Sequence, residues 1–395
     1  MPLPLPPLLL LLQACTAVAV ADSWPAHVQP FFLSALSQPL TPPQARYIGA
    51  FPLAVINHKQ SNGDTSAPVL GAEAKQLQAI AAIRAANRSC TTYFYLNSQI
   101  DFPELALHTK MAAAAGDWWL RDASGSFVWH NKSAVRGDGD HVFDLTVAEA
   151  RQAWIDAALQ ALNNDAVDGL FVDKAKSDSV KFRGVSATRM AAWRAAHDSM
   201  LAALRHSTTK LVILNNQHAS PDKVAGMGQH FERWGESPDH DGLNLTQDIA
   251  LLGKLQTAGL TTLARAGGVA PGSSHAPSSI ACGTGLAAFL IAQTAPNHGF
   301  FSCEPDFRSG VSPPSGWMAL LQQPEYSYAL GAPLGPPKAA SSGLIRRQYA
   351  GGAEAILAIG SAGDGTGAAS GCVRWAGGHI SGRCPVEVAN SDDTV

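Results

Sequence analysis

Short runs of β-forming residues alternate with stretches of helical period along the chain, and this alternation limits the available folds more than any other feature. The β-like runs are 46–56 (RYIGAFPLAVI), 91–97 (TTYFYLN), 117–122 (DWWLRD), 168–173 (DGLFVD), 210–216, 229–236, 260–267 and 299–304. Between them lie segments such as 72–87, 104–116, 147–164, 186–206, 245–259 and 278–295, where apolar residues recur every three to four positions. Thr146 and Glu149 have the spacing of a capping box opening the 147–164 helix. Strands separated by helices imply parallel pairing with right-handed crossovers. Eight such units predict an α/β fold, a (β/α)8 (TIM) barrel. An open doubly wound sheet is the alternative, but no Gly-x-Gly-x-x-Gly follows the first run.

The expected organisation is a leader over 1–21, a Pro-rich lead-in over 22–44 and the barrel over 45–305. A small C-terminal β-rich appendage follows over 306–362, then a Gly/Ser-rich tail over 363–395. In the leader, Leu8–Leu12 precede a small-x-small site at Ala19–Ala21, which reads as a cleavable signal peptide; its apolar run is too short to span a bilayer. A secreted, extracellular protein without stable membrane insertion is the expectation. Cys282 with Cys303, and Cys372 with Cys384, can form disulfides in that compartment, leaving Cys90 as a buried thiol. Sequons at Asn87, Asn131 and Asn244 agree with a glycoprotein.

Composition narrows the function. The 395 residues are 46% hydrophobic and 15% charged, enough for a large core, and the net charge of −3 comes without a Lys/Arg run. Nucleic acid and an anionic membrane surface are therefore poor partners. The chain has 13 His, but those at 218, 230, 240, 275 and 298 lack ligand spacing, and no Cys/His pattern suits zinc. No metal and no cofactor are expected, and the protein is expected to act as a monomer. A Gly-x-Ser-x-Gly elbow and a P-loop are absent.

Barrel enzymes carry their chemistry where the strands end. The polar residues at those positions are Asn57, His58, Tyr95, Asn97, Arg121, Asp122, Asp173, Lys174, Asn215, Asn216, Glu232, Glu236, Arg265 and Glu304. Carboxylates among amides and arginines suit a sugar, whose hydroxyls they bind, and Trp118, Trp119 and Trp234 offer stacking faces. Glycoside cleavage needs two carboxyls flanking the bond. Asp173, on the fourth strand, and Glu232, on the sixth, are the expected catalytic pair, with Tyr95, Asn97, Arg121, Asp144, Asn215 and Trp234 lining the sugar site. Asp144 has a competing role as a helix-entry residue, and Asp173 as a cap or ion-pair partner.

Five blocks carry a family resemblance: YFYLNSQIDFP, WWLRDASGSFVWH, FDLTVAEARQAWID, DGLFVDKAKSD and EYSYALGAPLGPPKAASSGLIRRQYAGG. Over residues 45–360 the chain resembles the hypothetical glycosyl hydrolase 15 type. That group is distinct from the glucoamylases and similar in plan to endo-α-1,4-polygalactosaminidase-like barrels. The resemblance implies a (β/α)8 barrel with a C-terminal β element, and glycosidase activity without naming a sugar. The resulting expectation is a secreted glycoside hydrolase acting on an oligo- or polysaccharide. Its competitors are a glycan-binding barrel without catalysis and a metal-dependent barrel hydrolase.

Overall fold

The structure is a computed structural model describing residues 23–34, 39–58, 71–114, 117–131, 140–178, 180–224, 226–232, 234, 245–266, 279–303, 323–339, 344–359 and 369–385. Its centre is an eight-stranded parallel sheet in chain order, β1 (Phe31–Ser34), β2 (Leu53–Ile56), β3 (Thr91–Asn97), β4 (Gly169–Asp173), β5 (Leu211–Asn215), β6 (Gly228–Phe231), β7 (Thr262–Ala266) and β8 (Gly299–Cys303). The Phe301 N–H donates to Gln29 O at 2.9 Å, bringing β8 against the residues that lead into β1, so the sheet is nearly closed into a barrel. Helices α1 (Pro42–Gly49), α2 (Ala72–Ala86), α3 (Ala106–Ala113), α4 (Ala148–Leu162), α5 (Ala187–Ser207), α6 (Leu245–Thr257) and α7 (Ser279–Ala292) lie in the crossovers.

Strand periodicity divides the core in two. Alternate residues Phe31, Leu53, Val55, Tyr93, Tyr95, Phe171, Ile213 and Leu263 fill the barrel interior. Their neighbours Ala54, Phe94, Leu170, Val172, Val212, Leu214 and Ala264 pack outward with the helices. Gly169 opens β4 because the interior is full there: a Cβ would lie 2.3 Å from Tyr93 Cε1 and 2.5 Å from Leu211 O.

Several elements depart from the sequence expectation. The first barrel strand lies within the expected lead-in. The 46–56 run divides instead, because Pro42–Gly49 form a helix whose Thr41/Gln44 capping box supplies the start signal, and only Leu53–Ile56 are strand. DWWLRD is not a barrel strand. Trp119 bridges Phe143 and Arg121 bridges Phe127, both antiparallel, beside a small sheet of Ile100–Asp101, Trp129–Asn131 and Asp140–Val142. This excursion is inserted between β3 and α4. One missed strand and one surplus strand cancel, so DGLFVD remains the fourth. The expected Thr146/Glu149 box is not formed; the Thr146 hydroxyl donates to Asp144 Oδ1 at 2.6 Å.

Beyond the barrel, β9 (Lys338–Ala339), β10 (Leu344–Gln348), β11 (Glu354–Ala358), β12 (Ser370–Arg374) and β13 (Ile380–Gly382) form one antiparallel sheet. Its last two strands fall in the expected tail, so the appendage runs further than its sequence suggested. The sheet seats on α7: a Cβ at Gly283 would lie 2.1 Å from Gly382 Cα, and the Gly371 N–H donates to Thr284 Oγ1 at 3.1 Å. Arg347 reaches from β10 to the α7 C-terminus, donating to the carbonyls of Leu290 at 3.1 Å, Ile291 at 3.2 Å and Gln293. Those carbonyls have no partner within the helix. Cys282 is joined to Cys303 and Cys372 to Cys384, while Cys90 is a buried free thiol whose pKa burial raises to about 12. Among the described residues no helix is long and apolar enough to cross a membrane.

Candidate active site

The period-2 pattern that fills the barrel continues past its apolar layer and changes chemistry at the carboxyl ends. Tyr95 leads to Asn97, Phe171 to Asp173, Ile213 to Asn215, His230 to Glu232 and Leu263 to Arg265, each pair on one face of adjacent strands. Register brings Asn97 beside Asp173, and Asn215 beside His230.

Asp173 is the hub. Its Oδ2 accepts from the Tyr95 hydroxyl and from Asn97 Nδ2 at 3.1 Å, and its Oδ1 accepts from Asn215 Nδ2 at 2.8 Å and the Lys174 N–H at 2.7 Å. Burial, reinforced by the Asp173 charge, raises the Tyr95 phenol well above its ordinary pKa, so this hydroxyl stays a donor. Four donors thus converge on the two oxygens of the one carboxylate. Lys174 itself is left-handed, φ 56°. That conformation is held by bonds to its carbonyl from Gln99 Nε2 and from Ser98 Oγ, the latter at 3.0 Å.

Glu232 stands one residue beyond β6. Its Oε1 accepts from Arg265 Nη2 at 3.0 Å and its Oε2 from Asn216 Nδ2 at 2.9 Å and Asn215 Nδ2 at 3.2 Å. Asn216, also left-handed with φ 54°, receives the Glu232 N–H on its Oδ1 at 3.0 Å. A single nitrogen, Asn215 Nδ2, thus serves both carboxylates. Asp173 Oδ1 and Glu232 Oε2 are therefore separated by no more than the sum of those two contacts, 2.8 and 3.2 Å, or 6.0 Å.

The fold brings together Tyr95, Asn97, Asp173, Asn215 and Glu232 from the sequence-derived set. The other members have different partners. Asp144 is 4% exposed and accepts from Thr146 and from Arg189 Nη2 at 2.7 Å, which makes it the helix-entry residue of α4. Arg121 lies 4.0 Å over the Phe127 ring and donates to Gly125 O, within its own hairpin. Trp234 is 1% exposed, packs edge-on to Phe231 and donates to Gly285 O at 2.8 Å, so it offers no face for stacking. Trp119 stacks on His141 at 3.9 Å, inside the excursion. The same hairpin carries His130, whose pKa is lowered by partial burial and by Lys174 against the pull of Asp173. Glu236, Glu304, Asn244 and residues 1–22 lie outside the described residues, as does the side chain of Asn131.

Three participants were not among the chosen site residues. Asn216 and Arg265 stood only among strand-end polar groups. His230 stood only among the histidines without ligand spacing, although its place two residues before Glu232 puts it on the inward face. It is 1% exposed, and its Nδ1 lies 2.7 Å from Asn215 Oδ1. Among the described residues no group of three or more His, Cys, Asp or Glu could hold a metal ion.

The glycoside hydrolase domain of PelA from Pseudomonas aeruginosa aligns at 18% identity and TM-score 0.43, covering 72% of this chain and 97% of that one. Alpha-L-fucosidase isoenzyme 2 from Paenibacillus thiaminolyticus aligns at 14% identity and TM-score 0.50, covering 76% of this chain and 49% of that one. At these identities the likeness is one of fold. No curated protein matches the sequence. A family model described as hypothetical glycosyl hydrolase family 15 matches residues 84–353, from within α2 through the barrel to the start of β11. The chain belongs to the hypothetical glycosyl hydrolase family 15 and is a glycosidase.

Proposed function

We propose that the protein is a secreted glycoside hydrolase cleaving an oligo- or polysaccharide with retention of anomeric configuration, using Asp173 as nucleophile and Glu232 as general acid and base. The shared Asn215 nitrogen is the observation that carries this reading, since it limits the facing carboxylate oxygens to a separation of 6.0 Å. Retaining pairs stand about 5–5.5 Å apart, whereas inverting pairs stand about 6.5–9.5 Å apart to admit a water between them. The leader sequence and two disulfides support secretion.

The two roles are assigned by position at the barrel mouth. Asp173 rests on donors from β3 and β5 beneath the mouth, an arrangement that keeps it aimed. The Glu232 side chain is 21% exposed beyond the end of β6, where a leaving-group oxygen and then a water can reach it. In the first step Glu232 protonates the departing oxygen while an Asp173 oxygen bonds to the anomeric carbon. In the second, Glu232 takes a proton from water, whose oxygen displaces Asp173 and restores the carboxylate.

A panel of α- and β-linked aryl glycosides and plant, fungal and bacterial polysaccharides provides the test. Asp173→Asn should lower kcat by about four orders of magnitude on every active substrate while leaving the melting transition in place. Glu232→Gln should cost about two to four orders on alkyl or sugar leaving groups and far less on nitrophenolates, which leave without a proton. Turnover that survives Asp173→Asn would overturn the assignment. Glycan binding by a wild-type protein with no turnover would instead favour a non-catalytic barrel.

A further inference from the structure

We infer that His230, buried beneath the site, is a positioning residue that fixes the orientation of the Asn215 amide and so keeps one N–H on each carboxylate. The inference deepens the two-carboxylate reading and rests on it.

An asparagine side chain has a donor end and an acceptor end of nearly equal size, so shape alone does not choose between two orientations. In the observed orientation Nδ2 faces Asp173 and Glu232. Turned over, the carbonyl would meet two carboxylates, and the shared donor would become a third acceptor. The end facing away from the carboxylates sets the alternative: Asn215 Oδ1 is 2.7 Å from His230 Nδ1. That contact is a hydrogen bond only if Nδ1 carries the proton, which leaves Nε2 bare.

The pocket around the ring enforces this tautomer. Phe31 lies edge-on at 5.6 Å and Phe171 tilted at 5.3 Å, and Nε2 is buried with no hydrogen-bond partner among the described residues. A second proton would place an imidazolium among these rings; burial first, and then the nearby Arg265 charge, bring the His230 pKa down to about 3. His230 is therefore held in its neutral form well below its ordinary pKa. It has one donor, and the backbone places it: Asn215 and His230 are register partners on β5 and β6, and the Asn216 N–H donates to His230 O at 2.9 Å.

Three substitutions separate positioning from space-filling. In His230→Asn the side-chain amide nitrogen can take the place of Nδ1. In His230→Gln it falls nearer Nε2, and His230→Phe supplies no donor. On the best aryl glycoside, His230→Asn should keep kcat within about fivefold of wild type, whereas His230→Gln and His230→Phe should lose about tenfold to a hundredfold, the cost of leaving a buried acceptor unpaired. KM should stay within about twofold, and melting curves verify that each variant folds. Equal loss in the Asn and Gln variants, or full activity in His230→Phe, would overturn the inference, because a residue that only fills space ranks by volume. Side-chain 15N NMR of the wild type is independent of turnover. A proton on Nδ1 supports the inference, and one on Nε2 overturns it, even if no glycoside is cleaved and the hydrolase reading fails.

Discussion

Two arginines are almost equally buried, Arg265 at 7% exposure and Arg347 at 6%, yet they do different work. Arg347 turns its guanidinium on backbone carbonyls at the end of α7 and completes a helix terminus that the fold would otherwise bury unpaired. Arg265 turns its guanidinium on the side chain of Glu232 and on that residue's own carbonyl, the latter at 3.2 Å, at the open end of the barrel. Burial does not distinguish them. The partner does: a cation held by backbone fastens two parts of a fold, and a cation held by a carboxylate at a strand end shapes a site.

The comparison predicts separable losses. Arg347→Met leaves the buried Ile291 and Gln293 carbonyls without this donor and should cost about 2–4 kcal/mol in stability, read from chemical denaturation, with kcat per folded molecule unchanged. Arg265→Met should do the reverse, lowering kcat by about one to two orders of magnitude, the worth of one charge-assisted hydrogen bond, with a smaller change in denaturation midpoint. Were Arg347→Met to lose activity in proportion to Arg265→Met at full folding, the division between the two regions would fail.

A smaller effect lies beneath the site. The His230 pKa is depressed to about 3 in the folded chain and near its ordinary 6.5 when unfolded, so between those values the unfolded chain binds a proton that the folded chain does not. Stability from this group is then complete above about pH 6.5 and declines as the pH falls toward 3. His230→Asn removes the titrating group, so its stability should fall with acid less steeply than that of wild type, by up to one proton equivalent. Parallel curves would place the ring in a more polar setting than the one described.

What was readable from sequence follows physical lines. Strands β3, β4, β5 and β8 announce themselves as largely apolar runs bounded by polar residues, because parallel barrel strands are covered on both faces. The strand Phe31–Ser34 is four residues long between proline-rich stretches, too short to show a period. The run at 46–56 stays apolar from a helix into a strand and hides the boundary. Asp173, Tyr95, Asn97, Asn215 and Glu232 were legible because strand-end position and period 2 together fix where a side chain points. Arg121, Asp144 and Trp234 show where that stops: composition named them as sugar-binding types, but direction depended on a hairpin bridge, a helix entry and a packing contact made elsewhere in the chain. His230 is the converse case, a polar residue one layer too deep to look like part of a site.

The bridged carboxylate pair is the centre of the account, and product stereochemistry tests it most directly. Proton NMR of the first-formed sugar, recorded before mutarotation on the best substrate of the glycoside panel, should show the anomeric configuration of the substrate retained. An inverted first product would mean that a water fits between the catalytic groups, and would contradict a pair held within 6.0 Å by the Asn215 amide.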